Sequence, residues 1–217
     1  MILERITVGN MGENCYLAGD ASCLLVIDPG DEAERILHFA NEHQYRIAYV
    51  VLTHCHYDHI GAVADIIDKT GAKLLIGKNE AENYKNRRVT LCGYFSKMPE
   101  MKEPDRLLAE GETIESGPYL FSVMDTPGHT SGSICLLCED ALFSGDTLFY
   151  KSIGRADLPT GDLRTLIASI RDKLFTLPDM TKVYPGHGES TTIGFEKEHN
   201  EVYEWERRTC ESMGRPS

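Results

Sequence analysis

Residues 53–59 read Thr-His-Cys-His-Tyr-Asp-His and contain three of the eight histidines of this 217-residue chain. The stretch follows the apolar run IAYVVL, which has the length of a buried β-strand, and precedes HIGAVADIIDK, where apolar residues recur at helical spacing. A tight turn between strand and helix would place His54, His56, Asp58 and His59 near one point. Imidazole and carboxylate groups are ligands of zinc, iron and manganese, so the stretch predicts a metal site.

Further ligands are expected where other strands end, because one short loop cannot enclose a metal ion. Three segments qualify: DTPGHTSGS with His129, LFSGDTLF with Asp146 and VYPGHGES with His187. A glycine precedes each of these residues and permits the close backbone approach that a crowded site needs. The three remaining histidines lie in polar, helix-like segments and are expected at the surface. Five histidines and two aspartates therefore form the predicted constellation.

Strand-like and helix-like segments alternate along the chain without a low-complexity linker, which predicts one α/β domain over residues 1–217. Each half contains a strand that ends in aspartate, a helix, and a strand that ends in histidine. In the first half these are LLVIDPG with Asp28, a helix over 31–44, and YVVLTH. In the second half they are ALFSGD, a helix over 162–175, and KVYPGH. If the halves fold alike, their strand ends lie on one edge of the molecule and share one site.

The segment 195–217 is predicted to form a carboxy-terminal helix and tail. The spacing of Phe195, Val202 and Trp205 indicates an amphipathic helix over 195–208. Packing of this helix against the domain is expected, with a dimer contact as the alternative, so we expect a monomer or a homodimer.

Composition indicates which classes of partner to expect. A net charge of −12, from 22 basic and 34 acidic residues, opposes nucleic-acid binding, which depends on neutralising phosphates. No run approaches the roughly 18 apolar residues of a membrane span, and the amino terminus lacks the features of a secretory signal, so a cytoplasmic location is expected. The seven scattered cysteines predict reduced thiols, with Cys135 and Cys138 in the core and Cys55 pointing away from the metal site.

The motifs T-H-x-H-x-D-H, P-G-H-T-x-G, S-G-D-T-L-F and P-G-H-G together resemble those of the metallo-β-lactamase superfamily. The resemblance runs from GENCYLAGD to YPGHGESTTIG and is closer to the shorter bacterial form of the glyoxalase II-like branch. It implies a four-layer αββα sandwich with two metal ions. It also implies the metal ligands: His54, His56 and His129 for one ion, Asp58, His59 and His187 for the other, and Asp146 as a bridge. Asp58 is thereby expected to belong to the catalytic machinery.

Two divalent transition-metal ions about 3.5 to 4 Å apart can lower the pKa of a water between them and present hydroxide to a carbonyl. Imidazole-rich sites favour zinc, with iron and manganese as alternatives. A thioester suits this chemistry because a thiolate leaves without a dedicated general acid. The glyoxalase II-like family hydrolyses S-lactoylglutathione, so a small-molecule thioester of this type is the expected substrate.

Two residues outside the ligand set have predicted roles. Asp28 is expected to hydrogen-bond near the metal loop, because ligating histidines donate their other N–H to a carboxylate or carbonyl, with a simple turn role as the alternative. Arg155 is expected to bind a substrate carboxylate through its planar guanidinium, with an ion pair to Asp157 or Asp162 as the alternative.

Three other functions remain open at this point. A persulfide dioxygenase would use a single iron ion, although these relatives carry P-A-H where this chain has P-G-H-G. A hydrolase of another ester or a lactone would use the same metal site. A non-catalytic metal-binding protein is disfavoured, because structural zinc sites are closed, mononuclear and commonly rich in cysteine.

Overall fold

Two six-stranded sheets organise residues 1–95 and 99–205, the part of the chain that the computed structural model describes. The first sheet has the order β1-β2-β3-β4-β5-β6, and the strands from β3 to β6 are parallel. Its strands are β1 (Ile2–Val8), β2 (Glu13–Asp20), β3 (Cys23–Ile27), β4 (Ile47–Leu52), β5 (Lys73–Gly77) and β6 (Arg106–Leu108).

The second sheet has the order β14-β13-β10-β9-β8-β7. Its strands are β7 (Thr113–Ser116), β8 (Tyr119–Asp125), β9 (Ile134–Cys138), β10 (Ala141–Gly145), β13 (Lys182–Pro185) and β14 (Thr191–Thr192). A short ribbon pairs β11 (Leu148–Phe149) with β12 (Ser152–Ile153). The α-helices are α1 (Ala33–Glu42), α2 (Tyr57–Ile60), α3 (Val63–Thr70), α4 (Ala81–Tyr84), α5 (Arg87–Thr90), α6 (Leu163–Asp172) and α7 (Ile193–His199), with 3₁₀ turns at Lys78–Glu80 and Leu174–Thr176.

Alternate residues of the central strands pack into different layers of the core. On β4, Val51 belongs to the same core cluster as Phe143 of the second sheet, whereas its neighbour Val50 belongs to the cluster that contains Ile66 of α3. Successive side chains of a strand point to opposite faces, so an apolar strand such as IAYVVL contacts a sheet on one face and helices on the other. A third core cluster joins the second sheet to Ile170 of α6. The layers are therefore helix, sheet, sheet and helix, which confirms the predicted αββα sandwich.

The two halves place their corresponding elements in the same way. β3 and β4 are parallel neighbours connected through α1, and β10 and β13 are parallel neighbours connected through α6. Asp28 and Asp146 directly follow the first strand of each pair. Because parallel strands end on the same edge of their sheet, the aspartates and the histidine segments are brought to one end of each sheet.

The carboxy-terminal helix differs from the prediction of one helix over 195–208. Helix α7 ends at His199, Asn200 adopts an extended backbone conformation, and helical backbone resumes over residues 202–205. The Asn200 side chain accepts the backbone N–H of Val202 and donates to the carbonyl of Ser152, and such local bonds compete with helix continuation. Val202 is nevertheless buried and Trp205 packs on the third core cluster, as expected for packing against the domain. Residues 206–208 lie outside the described part of the chain.

The described cysteines are all free thiols. Cys55, Cys135 and Cys138 are buried in the core clusters, in agreement with the packing role expected for them. Within residues 1–95 and 99–205, no helix combines the length and the apolar character needed to cross a bilayer.

Candidate metal centre

The seven predicted ligands converge at the edge where the sheet strands end. His54 and His56 lie on the extended loop after β4, and Asp58 and His59 lie on α2, which begins immediately afterwards. His129 lies on the loop between β8 and β9, Asp146 directly follows β10, and His187 follows β13 by two residues. Three groups of side chains bring their ligand atoms within 4.8 Å of one another, and one of these groups, Asp28 with His54 and His59, shares a ring with each of the other two. The first cluster is His54, His56 and His129, and the second cluster is Asp58, His59 and His187.

In the first cluster, three ring nitrogens face one another. Nε2 of His129 lies 2.8 Å from Nδ1 of His56 and 3.2 Å from Nε2 of His54. The Nδ1–H of His129 donates to the backbone carbonyl of Arg155, so its Nε2 carries a lone pair. The Thr53 hydroxyl donates to Asp28 and accepts the Nδ1–H of His54, which leaves a lone pair on Nε2 of His54 as well. Lone pairs that converge in this way fit a bound cation.

The second cluster combines two imidazoles with a carboxylate. Asp58 Oδ2 lies 3.3 Å from Nε2 of His187. His59 donates its Nδ1–H to Asp28, and its buried Nε2 has no hydrogen-bond partner among the described residues. An acceptor nitrogen that is buried without a donor is costly, and a metal ion would satisfy it.

Asp146 lies between the two clusters. Its Oδ1 is 3.4 Å from Nε2 of His59, and its Oδ2 is 3.6 Å from Nε2 of His129 and 3.7 Å from Nε2 of His187. Oδ1 is buried and has no hydrogen-bond donor in the described part of the chain. One carboxylate thus reaches ligands of both clusters, which is the geometry that a bridging ligand requires.

Asp28 lies in a turn and also hydrogen-bonds residues of the metal motif. Its backbone φ of 51° places it in a left-handed turn at the end of β3. Its carboxylate accepts the backbone N–H and the hydroxyl of Thr53 and the Nδ1–H of His59. The turn conformation therefore aims a buried carboxylate at the loop that carries the metal motif.

The electrostatics of the two clusters differ. Burial lowers the pKa of His54, His129 and His56, the last to about 3, so these rings are neutral at pH 7. Burial acts in the same direction on His59 and His187, but nearby carboxylates raise the pKa of both above its usual value. Protons therefore compete for the second cluster at a higher pH than for the first.

Sequence reasoning missed Glu13 and Thr53. Glu13 is 1% exposed, neither of its carboxylate oxygens has a hydrogen-bond partner among the residues that the structure describes, and Oε1 lies 3.9 Å from Nδ1 of His59. Burial raises the pKa of Glu13 well above its usual value. A glutamate at the start of the buried strand ENCYLAGD is the one signal that could have identified it. Thr53 stands inside the metal motif itself, between Asp28 and His54.

The centre opens into a cavity of about 570 Å³. The floor contains ligands of both clusters. Apolar and aromatic side chains contribute most of the wall: Met11, Tyr57, Leu91, Phe95, Phe149, Ile153 and Leu158. A cavity of this size accommodates a small molecule with an apolar portion.

Arg155 lines this cavity, but its guanidinium is engaged by Asp157. Nε and one terminal nitrogen each donate to the Asp157 carboxylate over 2.7 Å. Asp162 instead accepts the backbone N–H of Thr165 at the start of α6. The structure therefore contains the ion pair that the sequence left as the alternative, and substrate binding by Arg155 would require this exposed pair to open.

Comparisons with known proteins agree with this arrangement. The metallo-β-lactamase superfamily model matches residues 8–187. The chain is 36% identical over 215 residues to hydroxyacylglutathione hydrolase GloC of Haemophilus influenzae, covering 92% of this chain and 97% of that protein. Among solved structures, BLEG-1 B3 metallo-β-lactamase superposes with a TM-score of 0.84 at 36% identity, covering 92% of this chain and 98% of that chain. TTHA1623, in a di-iron-bound form, superposes with a TM-score of 0.83 at 34% identity, covering 91% of this chain and 98% of that chain.

Proposed function

Since the chain belongs to the metallo-β-lactamase superfamily, we propose that it is a binuclear metal-dependent hydrolase of thioesters of the S-lactoylglutathione type. The observation that carries this proposal is the position of Asp146, whose Oδ2 lies 3.6 Å from Nε2 of His129 in the first cluster and 3.7 Å from Nε2 of His187 in the second. When bound, two metal ions supply a hydroxide nucleophile near neutral pH and stabilise the oxyanion that forms at a carbonyl.

The residues of the chain have distinct tasks in this proposal. The first cluster, with three neutral imidazoles, suits zinc, whereas the carboxylate-containing second cluster also accepts iron or manganese. Asp28 orients the His59 ring through its Nδ1–H, so that Nε2 faces the site. Asp58 contributes its carboxylate to the second cluster beside the cavity and is the residue to which we assign a catalytic role.

The cavity supports a thioester substrate. Its apolar wall can receive the acyl and thiol portions and exclude bulk water from the reacting carbonyl. A thiol of pKa about 8.5 leaves as a thiolate without a proton donor. We propose glutathione as the thiol for two reasons. The similar protein GloC is named a hydroxyacylglutathione hydrolase. Arg155 would be able to bind a glutathione carboxylate once its ion pair with Asp157 opens.

A single protein preparation can separate this function from its alternatives. Metal-free protein from this preparation is reconstituted with zinc in one sample and with iron in another, and both samples are assayed with S-lactoylglutathione, a neutral thioester, an ester and a lactone, and for oxygen uptake with glutathione persulfide. We expect the thioesters to be the best substrates, without oxygen consumption. Oxygen uptake with iron-loaded protein would identify a dioxygenase, and preference for the ester or lactone would identify another hydrolase. The second cluster favours the hydrolase, since one iron ion would leave these three ligands unused.

A further inference from the structure

Strand β4, which leads into the metal motif, has a buried carboxylate on either side. Its neighbour β3 is followed by Asp28, which contacts Thr53 and His59. Its other neighbour, β5, is followed by the 3₁₀ turn Lys78–Glu80, which ends in the buried Glu80. Asp28 contacts His59 of the second cluster directly and His54 of the first cluster through the Thr53 hydroxyl. Glu80 has no part in the mechanism described above.

Three groups of the protein donate hydrogen bonds to the Glu80 carboxylate. Oε1 accepts the backbone N–H of Cys55 over 3.0 Å, and Oε2 accepts the Asn83 side-chain amide over 2.7 Å. The Thr130 hydroxyl lies 3.0 Å from both oxygens. At 1% exposure, this carboxylate accepts hydrogen bonds from three protein groups in place of water.

The partners of Glu80 are sequence neighbours of metal ligands. Cys55 lies between His54 and His56, and Thr130 directly follows His129. One side chain therefore joins the two loops that supply the whole first cluster. In the described part of the chain, the hydrogen-bond partners of Glu80 are Cys55, Asn83 and Thr130, none of which is a sequence neighbour of His187.

The close approach of the His129 loop to the turn that ends in Glu80 depends on Gly132. A Cβ at this position would lie 2.3 Å from the backbone nitrogen of Glu80 and 2.4 Å from the carbonyl carbon of Asn79. Only glycine lets the loop that carries His129 pack directly on the turn that carries Glu80. This packing brings the Thr130 hydroxyl within reach of the carboxylate.

We propose that Glu80 is a positioning residue that fixes the geometry of the first cluster by joining its two loops. The inference rests on the metal centre of the proposed function but not on the choice of substrate. It requires a selective effect, in which loss of Glu80 weakens the ion in the first cluster and leaves the ion in the second cluster unaffected.

The test measures zinc affinity by chelator competition in two backgrounds. Asp58→Ala disables the second cluster, and His56→Ala disables the first. Glu80→Gln keeps the shape of the side chain but replaces one of its two acceptor oxygens with an NH2 group. The hydrogen bonds from Cys55 and Asn83, which now go to separate oxygens, can then no longer both be accepted in that way. In the Asp58→Ala background we expect Glu80→Gln to weaken zinc binding about tenfold or more, and in the His56→Ala background to change it by less than about twofold. Glu115→Gln, on an exposed position of β7, is the matched control and should change neither affinity.

Two results would overturn the proposal. Equal weakening in both backgrounds would show that Glu80 supports the fold in general, and an unchanged affinity in the Asp58→Ala background would show that it does not position the first cluster. If Glu80→Gln does not fold, Thr130→Val removes one partner from Glu80 at nearly constant volume and is expected to act in the same selective direction. Zinc affinity is measured without turnover. Failure of the role proposed for Glu80 can therefore be distinguished from failure of the proposed thioester hydrolysis.

Discussion

His59 donates its Nδ1–H to Asp28 Oδ2 over 3.1 Å, and this bond determines which nitrogen of the ring faces the metal centre. Asp28→Asn removes the charge and leaves one acceptor oxygen for three donors. We expect the zinc affinity of the second cluster to fall about 10-fold to 100-fold, as for other partners of ligating histidines. Zinc competition on the Asp28→Asn protein measures this change, with Asp65→Asn on the exposed face of α3 as the control. An affinity within about twofold of the native value would leave Asp28 with its turn role alone.

Acidification should remove metal from the second cluster first. The pKa values of His59 and His187 are raised in the metal-free site, so protons compete for these rings already above the usual histidine pKa of 6.5. The pKa of His56 is lowered to about 3, and those of His54 and His129 are also lowered, so the first cluster stays available to metal at lower pH. Equilibrium dialysis of cobalt-loaded protein at decreasing pH should show two steps. Release of both ions in one step, or earlier release from the first cluster, would contradict this order.

The backbone at Gly186 leaves room for Asp146. A Cβ on residue 186 would lie 2.3 Å from Asp146 Oδ1 and 2.8 Å from Cε1 of His59. Gly186→Ala should therefore displace the carboxylate between the clusters and lower the content of both ions, which elemental analysis measures. Ser190→Ala, at an exposed position near the same segment, should retain full metal content. A full complement of metal in Gly186→Ala would show that Asp146 is not needed at its present position.

The ion pair between Arg155 and Asp157 allows the role of Arg155 to be tested by substituting either residue. Arg155→Ala should raise KM for S-lactoylglutathione more than it lowers kcat, with little effect on a neutral thioester. Asp157→Ala frees the guanidinium and should lower KM for the same anionic substrate. Because the pair is exposed, neither change should greatly affect stability. Equal loss on both substrates, or loss of metal, would assign Arg155 a structural role.

Features that depend on local spacing could be predicted from the sequence. His54 directly follows an apolar strand within a histidine-rich stretch, and His129, Asp146 and His187 each adjoin a glycine after a strand, so these ligands can be recognised without knowing how the sheets pack. An α/β domain could be predicted in the same way from the alternation of strand-like and helix-like segments, whereas the four-layer αββα sandwich is implied by the resemblance of the motifs to the superfamily.

Features that depend on contacts between distant segments could not be predicted. Glu80 is 25 residues from Cys55 and 50 from Thr130, and the polar segment KNEAEN does not indicate that one glutamate is buried. The end of α7 at Asn200 results from side-chain bonds to other segments, which helical periodicity does not reveal. The choice of Asp157 as partner of Arg155 depends on the conformation of the loop between them.

Thioester turnover as a function of zinc added to metal-free protein tests the central claim most directly. Asp146 reaches both clusters, so the account predicts that activity with S-lactoylglutathione rises until two equivalents per chain are bound and then stays constant. Asp146→Ala should lower the occupancy of both sites in the same titration. Full activity at one equivalent, or an Asp146→Ala protein that loses only one ion, would contradict a binuclear hydrolase bridged by Asp146.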